Sequence, residues 1–406
     1  MTSAIPQPPA EPVRPAWKNW LAVLSVSLGA FVVVTSEFLP IGLLTNIAGS
    51  LHVSDGTAGL MVTIPGLVAA LAAPATAIFA GRLDRRVAVL SLVVLLIVSN
   101  LIAAFAPTFG VMLFARVLFG ITLGGFWTIA VTLGGRLVPA ASMARATTII
   151  LAGISIATVL GVPAGALIAD LAGWRFAFAG VGLIALIVGV AQFFLLPSLP
   201  PKQVLGFAQL TQLFRNADAR LGLITIAFVI AGHFAAYTYI APFLKHETGV
   251  SPGLLSSLLL AYGAAGIVGN FAGGSAAARN LRVTLITVVS LMGAAILLLP
   301  VFGHSTVGAT ILVVTWGLAF GAMPIALQLW VFKSAPDAIE GGAAMLVFVF
   351  QIFIAAGSVS GGLVVDAFGT SAVMWGGGAL ALAGLGVVQL SRHKAPALGV
   401  PQPHLI

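Results

Sequence analysis

Twelve apolar stretches, each about as long as a bilayer's hydrocarbon core is thick, recur along the chain between short polar breaks. They cover 20–44, 56–80, 87–106, 109–134, 144–169, 176–196, 221–243, 252–276, 281–301, 306–331, 341–365 and 370–391. In hydrocarbon an unpaired backbone amide costs several kcal/mol, and a helix pairs all of its amides within the segment, so each stretch is predicted to be helical. The expected fold class is therefore an all-α integral membrane protein with twelve transmembrane helices. Composition agrees: 60% of residues are hydrophobic and 7% charged, which in water would expose large apolar patches.

The net charge of +8 does not point to nucleic acid, because the basic residues are scattered between the apolar runs and form no stripe. With both termini placed inside, 15 of the 18 Lys and Arg fall in inner segments, Arg175 and Lys245 fall in outer loops, and Arg116 lies within a span. Inner loops rich in Lys and Arg set the orientation of such proteins, so the chain is expected to be a multi-pass protein of the inner membrane with cytoplasmic termini. Residues 1–16, Pro-rich and polar, are expected to form a disordered tail without a signal peptide, and 393–406 a second tail. The longest polar break, 197–220, reads as a cytoplasmic linker between six-helix halves at 17–196 and 221–392; its stretch 207–214 suits a short helix on the inner membrane surface.

The halves repeat. Gly120, Gly124, Arg136 and Pro139 recur 197 residues later as Gly317, Gly321, Lys333 and Pro336. Gly161, Gly165, Asp170 and Gly173 recur 196 residues later as Gly357, Gly361, Asp366 and Gly369. In span seven, Tyr239-Ile-Ala-Pro242 resembles Glu37-Phe-Leu-Pro40 of span one. Near-constant offsets predict pseudo-symmetric parallel halves, the layout that puts a transport site at the midplane between them.

Two charges stand inside the spans. A carboxylate such as Glu37 costs roughly 2.5 to 3.5 kcal/mol in a membrane helix, so it is expected to face protein or water and to have a function. Arg116 keeps its charge at any ordinary pH and needs a carboxylate or several acceptors. At 1.5 Å per residue both lie about 10 Å below the outer surface, so they are expected to face one cavity, directly paired or linked through water or substrate. His233 lies midway along span seven and is suited to donate to a ligand or to serve as a secondary proton site. With no cysteine, no His and carboxylate cluster and no phosphate-cradling Gly-rich loop, no catalytic, metal or cofactor site is read; the chain is not expected to be an enzyme.

These features resemble the major facilitator superfamily, in particular its twelve-span drug:proton antiporters, over the whole chain. Gly81-Arg82-Leu83-Asp84-Arg85-Arg86 is similar to that family's loop between spans two and three, with the usual upstream acid absent and Asp84 the acid available in its place. Arg116-Val-Leu-Phe-Gly120 resembles the family's span-four signature, linked there to proton transfer. Gly161-Val-Pro163-Ala-Gly165 resembles the antiporters' span-five motif, with Val162 inserted and Ala166 in place of the final glycine. The resemblance implies gating roles for Arg82, Asp84, Arg85, Arg86, Gly161, Pro163 and Gly165 and proton transfer at Arg116, and the residues' own chemistry adds Glu37 and His233 to the expected proton-coupling set.

Span seven from Gly232 to Phe243, with Gly125-Phe126-Trp127-Thr128 and Pro324-Ile-Ala-Leu-Gln328-Leu-Trp330, resembles the sugar-efflux and purine-nucleoside-efflux members more than the multidrug ones. Flat aromatic rings stack on a sugar or base face, and Thr, Tyr, His and Gln exchange hydrogen bonds with hydroxyls. The expected substrate contacts are Trp127, Thr128, His233, Tyr237, Tyr239, Gln328 and Trp330. The function expected is proton-coupled export of a small neutral hydroxylated solute by alternating access, with a multidrug pump for lipophilic compounds as the alternative. The expected partners are that solute, protons and the lipid bilayer, with the protein a monomer and no nucleic acid bound.

Overall fold

The computed structural model describes residues 16–79, 83–139, 142–200, 216–334 and 339–390. Among them twelve helices are long and apolar enough to cross a membrane. We label them α1 Trp17–Leu51, α2 Asp55–Thr76, α3 Arg85–Ala104, α4 Phe109–Ala130, α5 Arg145–Ala172, α6 Trp174–Leu195, α7 Ala217–His246, α8 Pro252–Arg279, α9 Leu281–Phe302, α10 Thr306–Val331, α11 Met345–Phe368 and α12 Thr370–Gln389. Each coincides with an expected span. The largest difference is α1, which continues through Thr45 and Asn46 to Leu51, where Asn46 accepts from Lys245 Nζ of the second half. The linker residues 201–215, with the expected surface helix, lie outside the described residues, as does Arg82.

Local chemistry sets the helix ends. Thr108, Ser251 and Asn280 each accept a hydrogen bond from a backbone N–H three residues on, which satisfies an otherwise unpaired amide at the start of α4, α8 and α9. Gly173 and Gly369 hold φ of +98° and +86° after α5 and α11, a conformation that costs glycine nothing. Large apolar side chains such as Leu71, Phe105, Phe194, Phe271 and Leu363 are exposed, as a chain solvated by lipid requires.

The repeat is kept to the residue in the packing. A Cβ on Gly120 or Gly124 of α4 would strike the carbonyls of Pro65 and Ala69 on α2. Gly317 and Gly321 of α10 lie equally close to Tyr262 and Gly266 on α8, each partner 197 residues further along. Gly161 and Gly165 of α5 seat against Thr35 and Leu39 of α1, while Gly357 and Gly361 of α11 seat against Ala231 and Ala235 of α7, 196 residues on. Small residues let these backbones approach closely, which is how helices bind one another without a hydrophobic driving force. The packing corrects one alignment: the mate of Glu37 is His233 and that of Phe38 is Phe234, so Tyr239-Ile-Ala-Pro242 is not the counterpart of Glu37-Phe-Leu-Pro40.

Three breaks interrupt the helices. Ala157–Gly161 forms a π turn immediately before Pro163, whose missing N–H leaves a gap in the ladder of α5. Turns at Thr238 and Tyr239 break α7 ahead of Pro242. Gly59 separates a short first turn, Asp55–Ala58, from the rest of α2.

Among the described residues, hydrogen bonds between the halves lie from mid-span toward the end remote from the termini. Asp366 of α11 accepts from Gly56 N at 2.9 Å and from Ser54 Oγ at 2.6 Å. Ser358 Oγ donates to the Gly59 carbonyl at 3.1 Å, and Lys245 Nζ to Asn46 Oδ1 at 2.7 Å. At the end carrying the termini, the bonds from Arg86 to Phe193, from Asn216 to Ser334 and from Arg282 to Gln389 each stay within one half.

Candidate functional site

Pro40 lacks the N–H that would pair with the Ser36 carbonyl in α1, and Pro65 likewise strands the Met61 carbonyl in α2. Arg116 of α4 answers both: its Nη2 donates to Ser36 O and its Nε to Met61 O, each at 3.0 Å. The side chain is 1% exposed, and the guanidinium lies 4.4 Å from the ring centre of Phe119. One cation therefore ties α4 to the proline-broken turns of both α1 and α2.

Glu37 follows Ser36 and is also buried, at 7% exposure. Its carboxylate does not take its hydrogen bond from Arg116. Gln351 Nε2 of α11 donates to Glu37 Oε1 at 3.2 Å, while the Arg116 donors named above go to backbone. Of the two expected arrangements, direct pairing or a link through water or substrate, this conformation does not show the first: the cation acts on the carboxylate through space, because two stranded carbonyls hold it. Gln351 had the same signal in the sequence as Glu37, a strongly polar side chain in mid-span, and sequence reasoning passed over it.

Beside Glu37, the rings of Phe38 and Phe234 stack with centroids 5.9 Å apart. They lead to an aromatic cluster built from α7, α8 and α10. His233 lies flat on Phe320, centroids 3.8 Å apart, and stacks on its other side on Tyr237 at 5.1 Å. Tyr237 stacks in turn on Tyr262 at 4.8 Å. Trp316 closes the group edge-on, and its Nε1 donates to His233 Nδ1 at 3.0 Å. An indole N–H only donates, so Nδ1 accepts and the ring carries its hydrogen on Nε2. That bond is lost once Nδ1 is protonated, so the geometry counts against His233 as a proton site in this conformation and suits it as a ligand donor. His233 Nε2 and Tyr262 OH have no protein partner although both are buried. Trp316, Phe320 and Tyr262 escaped sequence reasoning because aromatic residues in apolar helices look like ordinary packing until the helices are placed.

The other expected contacts lie apart from this cluster. Tyr239 OH donates to the Ser358 carbonyl at 2.8 Å and to that of Gly56 at 3.4 Å, which seals it into the junction between the halves. Thr128 donates to the Gly124 and Ala73 carbonyls in the α2 and α4 packing. Trp127 is half-buried and edge-on to Phe126, Gln328 is exposed, and Trp330 is buried beside Gly222 of α7. Gly161 and Gly165 form the seat of α5 on α1, and Pro163 is buried just after the π turn.

The polar loop, expected to take part in gating, is described from Leu83 onward. Asp84 accepts from Ser198 Oγ, from Leu199 N at 3.0 Å and from Arg86 N at 2.8 Å. Burial works against its charge, but these donors prevail and hold the carboxyl below the ordinary carboxylate range. Arg86 donates to the Phe193 carbonyl at 2.6 Å, and Arg85 is half-buried nearby. In this conformation the bonds of the loop's described residues go to its own half and to the start of the linker.

A carboxylate buried between two repeated six-helix halves, with an aromatic cluster of the second half beside it, is an arrangement a carrier can use. Residues 26–352 match the sequence profile of the Major Facilitator Superfamily. The chain belongs to that superfamily. As a major facilitator superfamily protein it is a membrane transporter and not an enzyme. It is 34% identical over 388 residues to OpdE of Pseudomonas aeruginosa PAO1, named a transcription regulatory protein, covering 93% of this chain and 96% of that one. Its fold resembles that of a bacterial homologue of the human lysosomal transporter Spinster, solved in an inward-facing, unoccupied conformation, with a TM-score of 0.74 at 17% identity over 92% of this chain and 95% of that one. It also resembles that of the human organic anion transporter MFSD10, with a TM-score of 0.67 at 18% identity over 94% of this chain and all of that one.

Proposed function

We propose that this superfamily member is a proton-coupled exporter that moves a small, neutral, hydroxylated solute, such as a sugar or purine nucleoside, by alternating access. The observation that carries the reading is the carboxyl of Glu37, buried between the halves with a cation held beside it. A proton on Glu37 removes the charge that faces Arg116, so the loaded and unloaded states differ in free energy, as coupling requires. With the termini read as cytoplasmic, the bonds of the described residues, concentrated at the remote end, support an inward-facing reading of this arrangement.

The aromatic cluster supports the substrate class. Its rings offer flat faces, and the buried Nε2 of His233 and hydroxyl of Tyr262 are polar groups that a hydroxyl or ring nitrogen would satisfy. Six rings in one place equally favour a lipophilic flat guest, which keeps the multidrug reading as the second one. The relative's name speaks of transcription, but the described residues of this chain are spent on spans, and we read transport as the activity.

The test is uptake into proteoliposomes of radiolabelled sugars, nucleosides and cationic dyes, with and without a pH gradient. Gradient-driven sugar or nucleoside accumulation that Glu37→Gln abolishes supports the reading. Dye accumulation selects the multidrug one, and undiminished proton-driven transport by Glu37→Gln overturns the coupling role.

A further inference from the structure

Glu37 and Gln351 belong to different halves, and each is more than nine-tenths buried. Their 3.2 Å hydrogen bond therefore crosses the interface that must rearrange when access alternates. Gln351 also stands at a close approach of the halves: a Cβ on Gly66 of α2 would meet the backbone carbonyl of Gln351 and the side chain of Ala355. The other end of its amide, Oε1, has no protein partner.

We propose that Gln351 is the residue through which the protonation state of Glu37 reaches the second half. The inference rests on the reading of Glu37 as the coupling site. An ionised carboxylate only accepts hydrogen bonds, and Gln351 Nε2 supplies the donor, which draws α11 toward α1. A protonated carboxyl carries an O–H that must itself donate. The other carboxyl oxygen still accepts, so the bond from Nε2 survives only as a weaker bond to a neutral group, and either the amide turns to offer Oε1 to the new O–H or the contact loosens. The proton comes from water on one side of the membrane and returns to water on the other, with no other group changed.

Among the described residues Arg116 on α4 is the charged group that acts on Glu37. It is fixed by the Ser36 and Met61 carbonyls and belongs to the same half, so it senses the proton without carrying the signal across. On α7 the nearest titratable group is His233, behind the ring of Phe234, with its Nδ1 occupied by Trp316. Tyr237 and Tyr262 stand beyond it in the stack.

The chain has no cysteine, so two spin labels report without background. Gly49→Cys and Gly253→Cys suit them, since both sites are exposed, at the remote end and in opposite halves, and a Cβ there meets nothing. In nanodiscs between about pH 5 and 9, the label separation should shift with pH in the otherwise wild-type protein. Glu37→Gln and Gln351→Leu should each flatten that shift, reducing the change in the ratio of the two states at least tenfold, and the exchange pair Glu37→Gln with Gln351→Glu should restore it. Gln351→Met, of similar length to Gln, replaces Leu if that variant fails to fold.

If Gln351→Leu or Gln351→Met keeps the wild-type shift while Glu37→Gln loses it, the role of Gln351 is overturned and Glu37 remains the coupling site. If Glu37→Gln keeps the shift, or the unsubstituted protein shows none, the reading of Glu37 fails and this inference fails with it.

Discussion

Phe38 and Phe234 hold the same place in the two halves and stack on each other, 5.9 Å between centroids and 22° between planes. Residues related by a two-fold repeat can touch only near its axis, so this pair marks where the halves meet. It also places their neighbours Glu37 and His233, likewise repeat mates, at the centre of the bundle. One repeat position thus carries a carboxylate in the first half and an imidazole in the second. Their surroundings differ accordingly, with Arg116 and Gln351 near the acid and Trp316 and Phe320 around the ring.

If Arg116 serves the carbonyls stranded by Pro40 and Pro65, its importance depends on those prolines. Arg116→Met should lower the melting temperature in detergent, because two hydrogen bonds from a charged donor contribute about 1.5 to 3 kcal/mol each. In a Pro40→Ala, Pro65→Ala background the helices regain their own N–H donors, and the same substitution should cost markedly less. Equal losses in both backgrounds would show that the carbonyl bonds are incidental.

Asp366 fastens the second half to the first by accepting from Gly56 N and Ser54 Oγ. Asp366→Ala should release that latch and shift the population about tenfold or more toward the state open at the remote end, given the usual strength of bonds to a charged acceptor. Labels at Gly49→Cys and Gly253→Cys would read this as a longer separation. Asp170, its repeat mate, acts on Lys245 of the second half through space and not through bonds like those of Asp366, so Asp170→Ala should shift the separation far less.

Gly66 and Gly263 are repeat mates that let the halves approach, Gly66 against α11 and Gly263 against the Thr158 carbonyl in the π turn of α5. Gly263→Ala should destabilise the protein by about 1 to 3 kcal/mol, because the added methyl meets backbone that has little room to yield. Gly253→Ala, where nothing lies within 4 Å, should be close to neutral in the same thermal assay.

The Asp84 carboxyl is held below its ordinary value of 3.8, against burial, by donors from Ser198, Leu199 and Arg86. A group with a depressed folded-state value stabilises above its unfolded value, and that contribution is lost as the pH falls through the folded one. Hydrogen exchange at Leu199 N should therefore be faster in Asp84→Asn than in the wild type at neutral pH. The difference should close only in acid below 3.8. A difference that vanished near pH 6 would point to another titrating group.

The number of spans, their helical nature and the twofold repeat were legible in the sequence, because hydrocarbon leaves a backbone no alternative to a helix and the repeated glycines mark where helices must touch. Glu37, Arg116 and His233 stood out because polar groups in lipid are costly wherever they occur. Partnership was not legible. Which residue the carboxylate meets depends on how α11 lies across α1, and the donors of Arg116 are claimed by two carbonyls that prolines on other helices strand. The register that pairs Glu37 with His233, instead of matching one Pro-ending tetrapeptide to another, was decided by the close seats of α5 on α1 and α11 on α7. Local sequence dictates which segments must be helices; only their packing dictates which buried polar groups can reach each other, since such bonds form over about 3 Å between residues hundreds of positions apart.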